Sequence, residues 1–379
     1  MNPPPTLHTV QTRQDLRDFI AMPAQIYRDD PNWVRPLDAE RRAHLSPANP
    51  YYRHAEVRLR IARDGQGRPV GRISTQCDTL APRVDGRPEG HFGLIEAVNP
   101  GVMHVLLADA EAWLRERSVT RIVGPYSLSV NDESGLLVEG HGLPPRLMMN
   151  YAPEWYAGAI EAQGYTKAKD LLAMLLDLDR DLPSGAIRMA GQAGTIPGFR
   201  ERPLRSEHFD EELRTIGAIF NDAWRSNWGY VPLTDDEIRH LGASLKPLVE
   251  PDLVRFVEVD GKPVGMVVAL ADINEALRGL HGRLWPFGWA RLLWRLKVRR
   301  PAAARVILMG VSRAWQKDLR SAALVAALLV PLHQALRRRQ YRKLELSWIL
   351  EDNRPTLRLA ELFGGVIEKR YRLYQKELS

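Results

Sequence analysis

Apolar and polar residues alternate from Val57 to Ile61 and again from Pro69 to Ile73, with Asp64, Gly65, Gln66 and Gly67 between them; this predicts a β-hairpin. A third strand follows at Phe92 to Glu96. An amphipathic helix is expected from Val102 to Arg117, with Val105, Ala108, Ala112 and Leu114 facing inward, and a short strand from Arg121 to Gly124. Tyr151 to Gly164 reads as a helix ended by glycine, and Ala168 to Leu178 as a strand that closes the first half. Upstream, Thr12 caps a helix over Asp15 to Ile20, and the stretches Asp29 to Pro36 and Asn49 to Tyr52 read as turns whose aromatic residues plug the edge of a core.

The same order returns later. A helix spans Phe209 to Trp224, a loop leads to a capping box at Thr234 to Glu237, and Phe256 to Leu270 forms a hairpin about Asp260 and Gly261. Then come a strand at Arg305 to Val311, a polar loop from Ser312 to Arg320, and a helix from Ser321 to about Arg338. A strand at Tyr341 to Leu350 follows, then a helix after Asn353 that reaches Leu362, a stop at Gly364 and Gly365, and a last strand through Tyr371 and Tyr374. Arg68 to Ile73 and Lys262 to Val267 share a Pro-Val-Gly core after a glycine turn, and each half closes with a helix, a glycine and a strand. This predicts two copies of one α/β unit with mixed sheets: residues 1–180, a linker at 181–205 rich in glycine, proline and alanine, and residues 206–379.

Composition narrows the class. In 379 residues, 45% apolar and 26% charged content are those of a globular protein with room for two cores. Cys77 is the single cysteine, so a disulfide scaffold and a cysteine-based zinc site are excluded, and no metal is expected. The first residues lack a signal-peptide pattern. The longest apolar run, Ala322 to Leu332, is far short of the about 20 residues that span a bilayer. A cytoplasmic location is expected.

Net charge is +7, and it is local: no acidic residue lies between Glu275 and Asp318, an interval that holds ten lysines and arginines. Within it, 275–303 forms a basic aromatic insert. At about 100° per residue, Trp285, Trp289, Leu292, Leu293 and Leu296 fall on one stripe with Arg291 and Arg295 opposite, and Trp294 breaks the pattern. Such a helix suits the surface of an anionic membrane, and peripheral contact with the inner face of the cytoplasmic membrane is the expectation. It also suits docking on a neighbouring domain. Nucleic acid is a third reading that no motif supports, and none is expected as a partner.

Two stretches carry candidate chemistry. Asn131, Asp132, Glu133 and His141 crowd a glycine-flanked segment; Glu133 or His141 could serve as an acid or base, and an ordinary turn is the alternative. Trp224, Asn227, Trp228 and Tyr230 crowd the loop after the first helix of the second half. The strand to Val311 feeds a basic loop and then a helix N-terminus, where unpaired backbone N–H groups suit an anion.

The order of elements in the second half resembles the Gcn5-related N-acetyltransferase (GNAT) superfamily. Its fourth strand runs into a [QR]-x-x-G-x-[GA] loop that holds the CoA diphosphate. Gln316, Lys317, Asp318, Leu319, Arg320 and Ser321 stand in that place; Gln316 matches, and Leu319 and Ser321 replace the glycines. The resemblance implies acyl-CoA bound by Gln316, Lys317, Leu319, Arg320, Ser321 and Asn353, with a backbone N–H between Met309 and Val311 polarising the thioester. Tyr371 or Tyr374 would be the acid for the leaving thiolate. Asp30 to Val34, Asn49 to Tyr51, Val70 to Ile73, Asn131 to Gly135 and Asn227 to Pro232 resemble a bacterial family of tandem GNAT-like proteins, to which bacterial ceramide synthases are similar. That implies transfer of a fatty acyl group from CoA to a long-chain, sphingoid-type amine, with Asn131, Asp132, Trp224, Asn227, Trp228 and Tyr230 near the acceptor. A GNAT-fold scaffold at the membrane surface that has lost catalysis is the rival reading.

Overall fold

The computed structural model describes residues 4–84, 86–316 and 320–378. Its frame is a 13-stranded mixed sheet. In chain order the strands are β1 (Thr6–Thr9), β2 (Ala55–Arg63), β3 (Pro69–Asp78), β4 (Gly90–Ala97), β5 (Arg121–Gly124), β6 (Leu136–Glu139), β7 (Thr166–Asp177), β8 (Phe199–Pro203), β9 (Val254–Val259), β10 (Lys262–Ala271), β11 (Ala303–Val311), β12 (Lys343–Leu350) and β13 (Val366–Glu377). The helices used below are α1 (Arg13–Ala21), α2 (Asp38–His44), α3 (Pro100–Arg115), α4 (Trp155–Glu161), α5 (Ser184–Ala193), α6 (Phe209–Ala223), α7 (Asp235–Leu245), α8 (Gly288–Trp294), α9 (Ser321–Arg338) and α10 (Arg354–Leu362).

Local signals act where the sequence placed them. Thr12 and Asp15 close a capping box on α1, and Thr234 and Glu237 close one on α7, each satisfying backbone donors at a helix start. Gly164 and Gly364 end their helices at φ +82° and +85°, a conformation that costs glycine nothing. Both expected hairpins form, as β2–β3 and β9–β10.

Two expectations about faces and boundaries are corrected. In α3, Ala108 and Ala112 face solvent, Val105 is half-buried, and the buried stripe is Val102, Met103, Leu106, Leu107, Ala110, Trp113 and Leu114. The larger side chains win the sheet because burial scales with apolar area, and Asn99 and Pro100 start the helix earlier than expected. The stretch 181–205, expected as a linker, carries α5 and β8. Ala186 and Ala193 of α5 are fully buried in the core shared with α9, and β8 pairs with β9 at the sheet edge.

The order across the sheet is β1-β2-β3-β4-β5-β13-β7-β12-β11-β10-β9-β8, with β6 beside β13. The strand that ends each half is therefore built into the other. β13, the end of the chain, lies between β5 and β7, and β7 lies between β13 and β12. Separating the halves would break four ladders and open two buried cores, so they share one sheet.

Each half also contains one parallel pair. β4 and β5 match at Gly90–Ile122 and His91–Val123, and β11 and β12 match from Ala303–Lys343 to Val306–Leu346. Beyond those points the strands part.

Candidate active site

The two partings differ. Between β4 and β5 the gap is filled by the chain itself: a Cβ on Gly93 would come within 1.4 Å of the Tyr126 carbonyl oxygen. At Gly310 of β11 a Cβ would meet side chains, those of Trp224 and Ala223, among the described residues. There Ile307, Leu308, Met309 and Gly310 are half-buried, and the Trp224 ring lies over Gly310, where a Cβ would meet it at 2.7 Å.

The helices after β4 and β11 differ as well. Asn99 closes the start of α3 by accepting from the Val102 N–H at 3.0 Å. Helix α9 has no side-chain cap among the described residues. Lys317 and Leu319 lie outside the described residues. Gln316 is turned away from this helix start; its Nε2 donates to the carbonyls of Ala223 at 2.9 Å and Val311 at 3.0 Å, which ties the end of β11 to α6. Arg320 sits with its guanidinium over the Trp315 ring. Asn353 caps α10 by accepting from Thr356 N–H at 3.3 Å.

A cavity of about 540 Å³ lies between the halves. First-half residues bring Arg41, His44, Arg72, Glu96, Asn131, Asp132 and Glu133 to its wall. Second-half residues bring Leu233, Leu241, Leu245, Leu248, Leu277, Leu292 and Leu296, from α7, the segment after β10, and the insert. Helix α7 is held over the cavity by His54, whose Nδ1 meets Asp78 at 2.9 Å and whose Nε2 meets Glu237 at 3.2 Å. The Asn131 side chain donates to the Val231 carbonyl at 3.0 Å and joins the halves at the rim. Below, Arg305 donates to the carbonyls of Leu147 at 2.6 Å and Met148 at 3.1 Å and to Ser347 Oγ at 2.7 Å, which pins a first-half loop over the parted strands.

Three carboxylates in this wall have unlike environments. Burial works to raise Glu133, but Arg41 grips both its oxygens at 2.8 and 2.9 Å and Ser127 donates at 2.9 Å, so the group is held at about 2. Burial lifts its neighbour Asp132 to about 6; among the described residues the Ser129 N–H, at 3.1 Å, bonds to the carboxylate. Burial lifts Glu96 furthest, to about 7, against the opposing pull of Arg72, whose Nη2 stays 3.9 Å away. The hydroxyls of Tyr27 and Tyr156 reach its Oε2 at 3.1 and 2.9 Å. Each phenol also has a backbone acceptor in reach, Tyr151 O and Ala97 O, so it keeps a partner when Glu96 takes up a proton. Glu96 was legible only as the end of a strand. Tyr27, Arg72 and Tyr156, which give it its chemistry, lie far apart in the chain.

The other expected site residues sit outside this wall. His141 Nε2 faces the Leu137 carbonyl at 3.1 Å. Tyr374 donates to Glu161 at 3.0 Å, so its hydroxyl is engaged. Tyr371 is fully buried, its hydroxyl has no hydrogen-bond partner among the described residues, and burial and then Glu345 push it well above the usual phenol range. Trp224 packs on β11, Trp228 packs into the first-half core, and the Tyr230 hydroxyl meets Asn221 at 3.1 Å. The Asn227 N–H donates to the Trp224 carbonyl at 2.7 Å as part of the turn.

The paired partings on one continuous sheet define the class: two GNAT folds in tandem. A tandem GNAT protein from the clavulanic acid biosynthesis pathway superposes with a TM-score of 0.56 at 16% identity, covering 99% of both chains. A GCN5-related N-acetyltransferase from Sphaerobacter thermophilus gives 0.53 at 15% identity, covering all of this chain and 97% of the other. No family model matches the chain. Among curated proteins, it is 44% identical over 372 residues to the bacterial ceramide synthase of Caulobacter vibrioides, covering 97% of this chain and 96% of that one. It is 41% identical over 374 residues to Protein YghO of Escherichia coli, covering 98% and 95%. The chain belongs to the family that contains these two proteins.

Proposed function

We propose that this protein is an acyl-CoA-dependent N-acyltransferase whose acceptor is a long-chain, sphingoid-type amine. Both the fold and the family support an acyltransferase. The observation that carries the finer reading is the cavity between the halves, whose wall combines buried carboxylates of the first half with leucines from both halves. An amine with a long tail needs both: a group that takes a proton from its ammonium, and apolar wall for its chain at about 0.8 kcal/mol per buried methylene.

In this reading the thioester enters through the parted strands β11 and β12, with the CoA diphosphate at the start of α9 near Arg320 and Ser321. Met309 to Val311 offers a backbone N–H to the thioester oxygen. Glu96 takes the ammonium proton, because a base that titrates near the working pH is both free to accept and strong enough to do so. Glu133 is fixed as a carboxylate and orients Arg41. The amine nitrogen bonds to the acyl carbon, the C–S bond breaks, the electron pair leaves on sulfur, and the nitrogen sheds its second proton, which makes good the one that Tyr371 gives to the thiolate. Tyr371, with its unbonded hydroxyl, is the proposed donor to that thiolate. The exposed face of the insert is the route by which chains held in a membrane reach Leu292 and Leu296.

The test is direct. The purified chain, a long-chain acyl-CoA and a sphingoid base should yield free thiol and a new amide by mass spectrometry in equal amounts. No thiol release with either substrate, while acyl-CoA still binds, would leave the scaffold reading standing instead.

A further inference from the structure

A second cavity, of about 390 Å³, opens beside the insert and is walled by Arg146, Arg278, Arg295, Arg299 and Arg300, together with Asp272 and Glu275. Both acids are already engaged. Asp272 accepts from the Leu147 N–H at 2.9 Å and from Arg146 at 3.3 Å, and Glu275 accepts from the Ala302 N–H at 2.8 Å. Arg278, Arg299 and Arg300 are exposed and make no ion pair among the described residues. Arg295 is spent on the carbonyls of Ala276 and Arg278; its burial and then the nearby charges of Arg291 and Arg299 lower its affinity for the proton. Guanidiniums gathered around a hollow without enough carboxylates to match are complementary to an anion with several oxygens.

The surroundings identify the anion. Along the insert, Leu292, Arg295, Leu296 and Arg299 turn toward the protein, while Trp289, Leu293, Trp294 and Val298 face out. Trp285 is 83% exposed and Phe287 78%. This splits the stripe expected from the sequence, which grouped Leu292 and Leu296 with Trp285, Trp289 and Leu293. The outward residues form an apolar rim beside the arginine hollow, the arrangement of an interfacial helix whose basic groups meet headgroups. CoA is a poor candidate for the hollow. The hollow opens where β11 begins, the start of α9 lies past its other end, and nine strand residues span about 30 Å.

We infer that the cavity walled by Arg278, Arg295, Arg299 and Arg300 binds the phosphate of an anionic phospholipid headgroup when the rim of the insert lies in a bilayer. This rests on the membrane-facing reading of the insert. It adds a headgroup site distinct from the acyl-transfer cavity, one that would hold the mouth of that cavity at the lipid surface.

Co-sedimentation of the full chain with vesicles of phosphatidylcholine, with and without phosphatidylglycerol, tests it. Wild type should prefer the phosphatidylglycerol vesicles. The triple variant Arg278→Gln, Arg299→Gln, Arg300→Gln should lose that preference and bind both kinds of vesicle alike. The outer triple Arg283→Gln, Arg291→Gln, Lys297→Gln should keep most of it. Equal losses in the two triples would overturn the site and leave diffuse attraction. Competition by inorganic phosphate as effective as by a soluble short-chain phosphatidylglycerol would overturn the lipid headgroup as the ligand. Failure to bind either vesicle, in wild type and after Trp285→Ala and Phe287→Ala alike, would instead sink the membrane-facing reading.

Discussion

The two halves contain the same device, a parallel strand pair that parts ahead of a helix, and among the described residues the two partings are lined differently. In the first half the backbone at Tyr126 lies against Gly93, and Asn99 satisfies the start of α3. In the second half the strands part past Val306 and Leu346, and α9 begins without a side-chain cap among the described residues. The first half contributes Glu96, Asp132 and Glu133 to a cavity it shares with the second. One active site made from two units needs their relative placement fixed, and the exchanged strands β7 and β13 fix it.

Substitutions that treat the two copies alike should separate them. Gly93→Ala puts a Cβ 1.4 Å from a backbone oxygen, which nothing nearby can relieve, so it should cost more than about 4 kcal/mol and prevent folding. Gly310→Ala presses on the edge of the Trp224 ring at 2.7 Å and should cost about 1–3 kcal/mol in denaturant melts, with the fold kept. If Gly93→Ala folds normally, the first parting is not filled as described.

The two carboxylates should divide between stability and rate. Glu133→Gln removes one of the two carboxylates that grip Arg41, leaving Glu40, and should cost about 1–3 kcal/mol. Because the folded Glu133 is held near 2, below its unfolded value, its stabilisation is present at neutral pH and is lost as the pH falls from the ordinary carboxylate range toward 2. Glu96→Gln should instead leave the fold intact and lower kcat about 100-fold. With Glu96 at about 7, wild-type kcat/KM should rise with pH and level off above that value, since the base must be unprotonated; the variant should lack this limb. An unchanged pH profile would remove Glu96 from the mechanism.

Smaller effects should distinguish the two helix starts. Ser321→Asp sets a negative charge where the diphosphate is proposed to lie and should weaken acyl-CoA binding about 10-fold in a titration, by an unfavourable interaction of about 1.4 kcal/mol. Asn99→Ala removes a cap and should cost about 1 kcal/mol of stability with no change in acyl-CoA affinity.

Much of this was legible in the chain. The hairpins, the capping boxes at Thr12 and Thr234 and the closing glycines are local signals, set by neighbours within a few residues. The crowded segment at Asn131 to Glu133 was legible too, as a cluster. Its division of labour was not. Which carboxylate is held ionised and which is poised depends on Arg41, Arg72, Tyr27 and Tyr156, and no pattern of spacing links those to Glu133 or Glu96.

The sequence by itself determined the elements, their repeated order and the concentration of basic charge near the insert, because periodicity, turn chemistry and composition act over short range. Only the tertiary structure decided that the closing strands cross between halves, that one parting is filled, and that a titratable glutamate faces leucines supplied from some 140 to 200 residues further on. Strand exchange changes no local pattern, since β7 and β13 read the same in either sheet. A carboxylate's proton affinity is set by the groups that pack around it, and the completed fold alone brings those together.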